Sequence, residues 1–267
     1  MADVRGSVNK MTNKIICMAN QKGGVGKTTT AVNLSACLAT AERRTLLVDC
    51  DAQGNATSGL GFDREAVRER NLYHALVDGL PIKDVIRPTQ LKHLDIVPAD
   101  QNLIGVEVEF VTMENREKRL RQSLKGSDID YDYIVLDCPP SLGFLTINAL
   151  VAADDLIVPM QCEFYAMEGL GQLLNTAGLV KARWNPELHL AGILLTMFDA
   201  RNLLSHRVSE DVKRHFKDKV FRTVIPRNVR LSESPSHGLP IILYDVRSRG
   251  AASYMELTQE ILSKRRT

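Results

Sequence analysis

The chain has 267 residues, of which 44% are hydrophobic and 25% are charged, with a formal net charge of +2. These are ordinary values for a globular protein, so they exclude a disordered, collagen-like or coiled-coil chain. The charge is uneven, because residues 201–267 carry 14 Lys and Arg against 7 Asp and Glu. This basic part of the chain is a candidate polyanion-binding surface, with a merely solvated surface as the alternative.

The cysteines and the start of the chain indicate the compartment. The five cysteines are scattered and include no C-x-x-C pair, so we expect neither a disulfide framework nor a zinc site. The start lacks the apolar core of a signal peptide, and no apolar run reaches the roughly 18 residues of a membrane span. We expect a poorly ordered extension over residues 1–13 and a single domain over residues 14–267, in a reducing cytoplasm.

Short apolar runs rich in Val, Ile and Leu alternate with helical patterns along the chain. Strands that alternate with helices predict an α/β fold, with a mostly parallel, twisted sheet and helices on both faces. Ligands of such sheets bind beyond the carboxyl ends of the strands. The predicted strands are 14–20, 44–49, 93–99, 133–139, 156–161 and 190–197, and the predicted helices are 28–41, 115–124, 168–184 and 205–216.

A glycine-rich segment, QKGGVGKTT at positions 21–29, follows the first predicted strand and leads into a helix. Glycines let backbone N–H groups converge on phosphate oxygens, and the helix N-terminus adds its positive dipole. Lys27 would reach the β and γ phosphates and the Thr28 hydroxyl would ligate Mg²⁺. The alternative is a glycine turn that only caps the helix. The predicted phosphate-binding residues are Gly23, Gly24, Val25, Gly26, Lys27, Thr28 and Thr29.

Carboxylates follow two further predicted strands. Asp49 and Asp51 occupy alternate positions, which share a face in an extended segment, and a carboxylate there can orient the water that attacks a γ-phosphate. Asp137 ends an apolar run, which is the Walker B arrangement, and would hold Mg²⁺ through a water. The alternatives are a turn cap and a buried strand end without function.

The phosphate loop departs from the pattern G-x-x-x-x-G-K-[ST], because Gln21 replaces the first glycine and Lys22 adds a second lysine. This form resembles the deviant Walker A motif of the ParA and MinD group of P-loop ATPases. The resemblance implies that Lys22 binds nucleotide across the interface of a sandwich dimer and neutralises the transferring phosphoryl group. It gives Asp51 the water-orienting role and Asp49 a part in ordering the Mg²⁺ shell. The expected catalytic residues are thus Lys22, Lys27 and Asp51, and the expected metal-site residues are Thr28, Asp49 and Asp137.

Other segments are similar to those of the chromosomal ParA (Soj) partition ATPases, namely DAQGNATSGLG, DCPPSLGFLTINAL, QCEFYAMEGL and VIPRNVRLSESPSHGLPIILYD. The resemblance covers nearly the whole chain from Lys14 onward. It implies ATP and Mg²⁺ as cofactors, an ATP-dependent homodimer, sequence-independent binding of double-stranded DNA at the nucleoid, and a ParB (Spo0J-type) partner that stimulates hydrolysis. It implies no membrane partner.

The base and the DNA contacts follow from the same resemblance. The segment TMFD at 196–199 lacks the lysine of the guanine motif [NT]-K-x-D, so adenine is favoured, and the loop 225–228 of the family packs on the adenine through residues that match Pro226 and Asn228. Arg227 is a candidate for either role, as part of this nucleotide loop or as a DNA contact. Phosphate contacts give DNA affinity without base readout. The expected DNA contacts are Arg201 and Arg230, followed by Arg207, Lys213, Arg214, Arg247 and Arg249.

Three other functions stay open at this point. A MinD-like positioning ATPase would need an amphipathic membrane helix, but the final segment YMELTQEILSKRRT offers few apolar residues before its basic end. An iron protein of the nitrogenase type would need cluster-ligating cysteines in glycine-rich loops. A nucleotide-gated adaptor would show no stimulation of its ATPase by DNA or a partner.

Overall fold

The computed structural model describes residues 13–163 and 166–264. A seven-stranded sheet runs through it in the order β3-β4-β2-β5-β1-β6-β7, and every neighbouring pair is parallel except β3 with β4. The expected N-terminal extension lies almost wholly outside the described residues. The strands are β1 (Lys14–Met18), β2 (Thr45–Asp49), β3 (Arg87–Pro88), β4 (Leu94–Val97), β5 (Tyr133–Asp137), β6 (Asp155–Gln161) and β7 (His189–Thr196).

Helices cover both faces of this sheet, and short 3₁₀ turns connect several of them. The longest are α1, α8, α9 and α12. The helices are α1 (Lys27–Thr40), α2 (Asn55–Gly59), α3 (Leu72–Leu76), α4 (Ile82–Val85), α5 (Val106–Glu109), α6 (Arg119–Lys125), α7 (Phe144–Ala152), α8 (Ala166–Arg183), α9 (Leu203–Phe216), α10 (Val229–Glu233), α11 (Ile241–Tyr244) and α12 (Arg249–Lys264).

Two apolar layers explain why the central strands form. Successive side chains of a strand point to opposite faces, so Ile15 and Cys17 of β1 pack into one layer while Ile16 and Met18 pack into the other. The first layer includes residues of α3 to α9, and the second includes residues of α1 and α10 to α12. Strands buried on both faces read as continuous apolar runs, which is the pattern that the sequence shows.

The sequence predictions are confirmed for the six longer strands and the four predicted helices, with end shifts of a few residues. The two-residue strand β3 was not predicted, and neither was α12. In α12, Tyr254 and Leu257 are buried in the second apolar layer, and Ile261 and Leu262 pack against it. Within the described residues, no helix has the length and apolar character needed to cross a membrane.

Candidate functional site

A cavity of about 490 Å³ lies at the carboxyl edge of the sheet. The phosphate loop after β1 forms one end of it, and residues after β7 together with α10 form the other. Ligands of open parallel sheets bind at this edge, so the cavity is where the sequence predicts the site. Its lining includes eight of the ten predicted nucleotide-binding residues, together with Asp51. Those eight are Gly23, Gly24, Gly26, Lys27, Thr28, Thr29, Pro226 and Asn228.

The phosphate loop has the backbone that an anion site requires. Gly24 and Gly26 have φ angles of 72° and 83°, which favour glycine because a Cβ is strained there. Gly26 precedes α1 without any side-chain cap, so the first N–H groups of this 14-residue helix remain available to a ligand. The Thr196 hydroxyl donates to the Val25 carbonyl at 2.8 Å and ties the loop to the end of β7.

Lys27 is a buried lysine at the start of α1, with only 6% of its surface exposed. Its Nζ donates to the Lys22 carbonyl at 3.1 Å. Burial lowers the pKa of Lys27, while the nearby Asp137 carboxylate opposes that shift. The ammonium is therefore held inside the loop, at one end of the cavity.

Asp49 and Asp137 lie side by side on neighbouring parallel strands, in register at the ends of β2 and β5. Asp49 accepts from the Thr57 backbone N at 2.8 Å and from the Thr57 hydroxyl at 2.7 Å. Within the described residues, neither oxygen of Asp137 has a donor at normal hydrogen-bond geometry, although the Thr28 hydroxyl lies close enough to lower the pKa of Asp137. Burial raises the pKa of Asp49 to about 6. Burial, with Asp49 as a second cause, raises the pKa of Asp137 well above its usual range.

This buried pair fits a divalent cation. A buried carboxylate without a donor is costly unless a cation or a proton neutralises it, and Thr28 and Lys27 beside Asp137 partly offset its raised pKa. No set of three His, Cys, Asp or Glu side chains in the described part of the chain could hold a metal by itself. That suits Mg²⁺, which usually takes one or two carboxylates and completes its shell with phosphates and waters.

Asp51 has different surroundings from Asp49. The strand β2 ends at Asp49, and Asp51 lies in the following turn, where its carboxylate lines the cavity and accepts from the Gln53 backbone N at 3.0 Å. The turn is possible because Gly54 has φ of 58° and a Cβ there would come within 2.8 Å of the Ala99 carbonyl. Asp51 can therefore contact a ligand in the cavity directly, whereas Asp49 is bound to Thr57.

Lys22 lies on the outer side of the phosphate loop. Its side chain is 41% exposed and forms an ion pair with Glu163, which follows β6 and is 43% exposed. Its backbone N donates to Asn20 at 3.0 Å. Lys22 is not among the residues that line the cavity, and its ammonium lies at the surface of the molecule, paired with Glu163.

The other end of the cavity is built by two paired segments. Phe198 N donates to the Ile225 carbonyl at 3.0 Å, and Arg227 N donates to the Phe198 carbonyl at 3.1 Å. We call residues 196–199 and 225–228 the base wall. Both Pro226 and Asn228 line the cavity there, but the Asn228 side chain also caps α10 by accepting from Arg230 N at 2.9 Å.

Several lining residues were not predicted from the sequence. Tyr254 of α12 reaches the cavity and its hydroxyl lies 3.2 Å from that of Thr30. Met197 adopts φ of 47°, which is unusual for a residue other than glycine. The only sequence feature that indicates a role for Met197 in the site is its position at the carboxyl end of a predicted strand, where ligands of parallel sheets bind. The other unpredicted lining residues are Gln53, Asn55, Pro140, Thr196, Ile225, Leu231, Ser232 and Pro235.

The predicted DNA contacts are all exposed, but they differ in their partners. Arg201 makes two hydrogen bonds at 3.0 Å to Asp199, and Arg230 contacts Glu233 at 2.9 Å and Asp245 at 3.5 Å. Arg214 lies 3.4 Å from Asp211. Within the described residues, the remaining candidates have no ion pair. These are Arg207, Lys213, Arg247 and Arg249.

The strand, glycine loop and helix that carry Lys27, together with acids at the ends of β2 and β5, define a P-loop nucleoside triphosphatase with a deviant Walker A loop. A family model described as an AAA domain matches residues 13–190. The chain is 56% identical over 251 residues to the chromosome partitioning protein ParA of Myxococcus xanthus, which covers 94% of this chain and 88% of that protein. It is 57% identical over 248 residues to the sporulation initiation inhibitor protein Soj of Bacillus subtilis, with coverages of 93% and 98%.

A solved structure agrees with this assignment. Cobyrinic acid a,c-diamide synthase of Mycobacterium smegmatis, with bound ADP and magnesium, matches with a TM-score of 0.84 and 35% identity over 96% of each chain. The chain belongs to the ParA/Soj family of chromosome-partitioning ATPases.

Proposed function

We propose that this protein is an ATP-dependent switch for DNA partition. It binds ATP and Mg²⁺, forms a nucleotide-sandwich homodimer and binds double-stranded DNA without sequence preference at the nucleoid. A ParB-type partner then stimulates hydrolysis, which releases the DNA. The observation that carries the proposal is the cavity itself, where an uncapped helix N-terminus, Lys27 and Asp51 meet, with the buried Asp137 close to Lys27 and Asp49 beside Asp137.

The phosphates of ATP would lie against the phosphate loop. The backbone N–H groups of the loop and the α1 N-terminus bind the oxygens, and Lys27 neutralises their charge. Burial strengthens these interactions because water is excluded from the site. Adenine would lie at the base wall. Pro226 and Asn228 would contact it on one side, and the other apolar residues of the lining would contact it on the opposite side.

Thr28 and Asp137 are the residues that would hold Mg²⁺, with Asp49 ordering the surrounding waters. When bound, Mg²⁺ neutralises charge on the β and γ phosphates. Asp51, which lines the cavity, would orient the attacking water, a role in which geometry contributes much of the rate. Thr57 donates two hydrogen bonds to Asp49 and so fixes the Asp49 carboxylate in place.

Lys22 is the residue that would complete the site of a second protomer. Its ammonium is at the surface and outside its own cavity, so a partner protomer can approach it. In the sandwich dimer it would stabilise the developing charge on the γ-phosphate of the other subunit, as an arginine finger does. The ion pair with Glu163 must open before Lys22 reaches that phosphate.

The MinD-like membrane alternative receives no support from the last described helix. A membrane-binding helix must offer its apolar face to lipid, but α12 buries Tyr254 and Leu257 in the second apolar layer. Ile261 and Leu262 pack against the same layer, and Met255 is 36% exposed.

The test is ATP binding and phosphate release by purified variants. We expect Lys27→Ala to lose ATP binding, and Asp51→Ala to keep ATP binding but lose hydrolysis. Asp84→Ala is the matched control, because Asp84 is an exposed aspartate of α4, away from the cavity. Hydrolysis by Asp51→Ala at the wild-type rate would contradict the water-orienting role, and unchanged ATP binding by Lys27→Ala would contradict the site itself.

A further inference from the structure

The guanidinium groups of the two leading DNA-contact candidates are already paired with carboxylates. Arg201 donates from both Nε and one Nη to the Asp199 carboxylate, with both distances at 3.0 Å. This uses one two-donor edge of the guanidinium, which would otherwise be free to bind a phosphate in the same two-point manner. A phosphate that takes this edge of Arg201 must displace Asp199, and one that takes the remaining donors meets a guanidinium whose charge Asp199 already neutralises.

The surroundings of Arg230 lead to the same competition through charge. Its guanidinium lies 2.9 Å from Glu233 and 3.5 Å from Asp245, so one positive charge is matched by two negative charges. A DNA phosphate approaching Arg230 would meet net negative charge as long as both acids keep their places. Arg207, Lys213, Arg247 and Arg249 have no such partner among the described residues.

Neighbouring groups fix these acids in place. Asp199 also accepts from the Arg201 backbone N at 3.0 Å and directly follows Phe198 of the base wall. The Tyr244 hydroxyl donates to Glu233 at 3.2 Å, and Asp245 accepts from the Arg247 backbone N at 3.2 Å. Arg201 lowers the pKa of Asp199 to about 2, so this carboxylate stays ionised at neutral pH. A DNA phosphate must therefore compete for these arginines with acids that are held in place.

We infer that Asp199, Glu233 and Asp245 compete with DNA phosphates for Arg201 and Arg230 and so limit the DNA affinity of this protein. The inference rests on the proposed DNA-binding function. In this account the three acids weaken DNA binding, whereas the basic residues around them strengthen it. Unpaired cations would supply the affinity, and the paired arginines would add to it only when their ion pairs open.

The experiment measures binding of a labelled random-sequence duplex by fluorescence anisotropy, with ATP present, for Asp199→Asn and Glu233→Gln. The matched control is Glu65→Gln, which removes one negative charge from a comparable surface pair with Arg68, at 3.5 Å. We expect each test variant to bind DNA about two- to five-fold more tightly than the control, the range that an exposed ion pair usually represents. Asn and Gln keep the size of the acid, and thermal unfolding shows that each variant is folded.

A double variant separates competition from a general change of charge. In an Arg230→Ala background, the further change Glu233→Gln should have no effect beyond that of Glu65→Gln, because the arginine for which Glu233 competes is gone. A gain equal to the control, or a gain that persists without Arg230, would overturn the inference. Absence of ATP-dependent DNA binding by the wild type and all variants would instead refute the proposed function, and the inference with it.

Discussion

Replacing Thr57 by valine tests the hydrogen-bond network that holds the buried acid Asp49. Thr57 is fully buried, and its hydroxyl donates to Asp49 at 2.7 Å while it accepts from the Ala99 backbone N at 2.9 Å. Valine keeps the shape and replaces the hydroxyl by a methyl group, which can neither donate nor accept a hydrogen bond. The Ala99 N–H then has no acceptor, and Asp49 keeps only its backbone donors, Thr57 N and Asp51 N.

The expected loss of stability follows from these two bonds. A buried donor left without a partner costs about 1–3 kcal/mol, and a net hydrogen bond contributes about 1 kcal/mol. The free energy of unfolding should therefore fall by about 2–4 kcal/mol. The loss should appear as a lower urea midpoint with an unchanged slope, since the folded surface is the same.

Urea unfolding followed by circular dichroism measures this change, and Thr176→Val is the control. The Thr176 hydroxyl donates only to the Gln172 carbonyl one turn earlier in α8. Its loss should cost less than about 0.5 kcal/mol, as is usual for surface substitutions. If Thr57→Val were no less stable than Thr176→Val, the network would not be holding the site together.

Three further predictions concern the dimer, the packing beside the cavity and the DNA face. Lys22→Ala should keep ATP binding but lose partner-stimulated phosphate release, and wild-type turnover would refute the role of Lys22 in trans. Gly238→Ala should cost at least about 2 kcal/mol in unfolding free energy, because its Cβ would lie 2.6 Å from Gly61 at φ of 64°. Gly79→Ala, with φ of 75° and open space, should cost about half as much. Arg230→Ala should weaken all duplexes equally and reduce the salt slope by about 0.9, which titration at several salt concentrations would show.

Most of the sheet could be predicted because its central strands are buried on both faces and read as apolar runs. The edge strand β3 could not, because it has two residues and one of them is Pro88. The helix α12 could not be placed by its composition alone. Its apolar residues are few, and their burial depends on packing against α1, more than 200 residues earlier in the chain.

The phosphate end of the site could be predicted because contiguous residues build it, and the backbone chemistry of a glycine loop is local. The base wall is different, since residues 196–199 meet residues 225–228 only through the fold. The ion pairs of the candidate DNA-contact residues also could not be predicted from the sequence. Arg230 and Asp245 are 15 positions apart, and no pattern links them before α10 and α11 are in place.

The central claim is that ATP controls DNA binding, and the direct test uses Asp51→Ala protein, which should hold ATP without hydrolysing it. Its binding to a labelled random-sequence duplex is measured with ATP and with ADP at two salt concentrations. The account predicts binding with ATP that weakens steeply as salt rises, and weak binding with ADP. Equal binding with both nucleotides, or no binding with either, would contradict it.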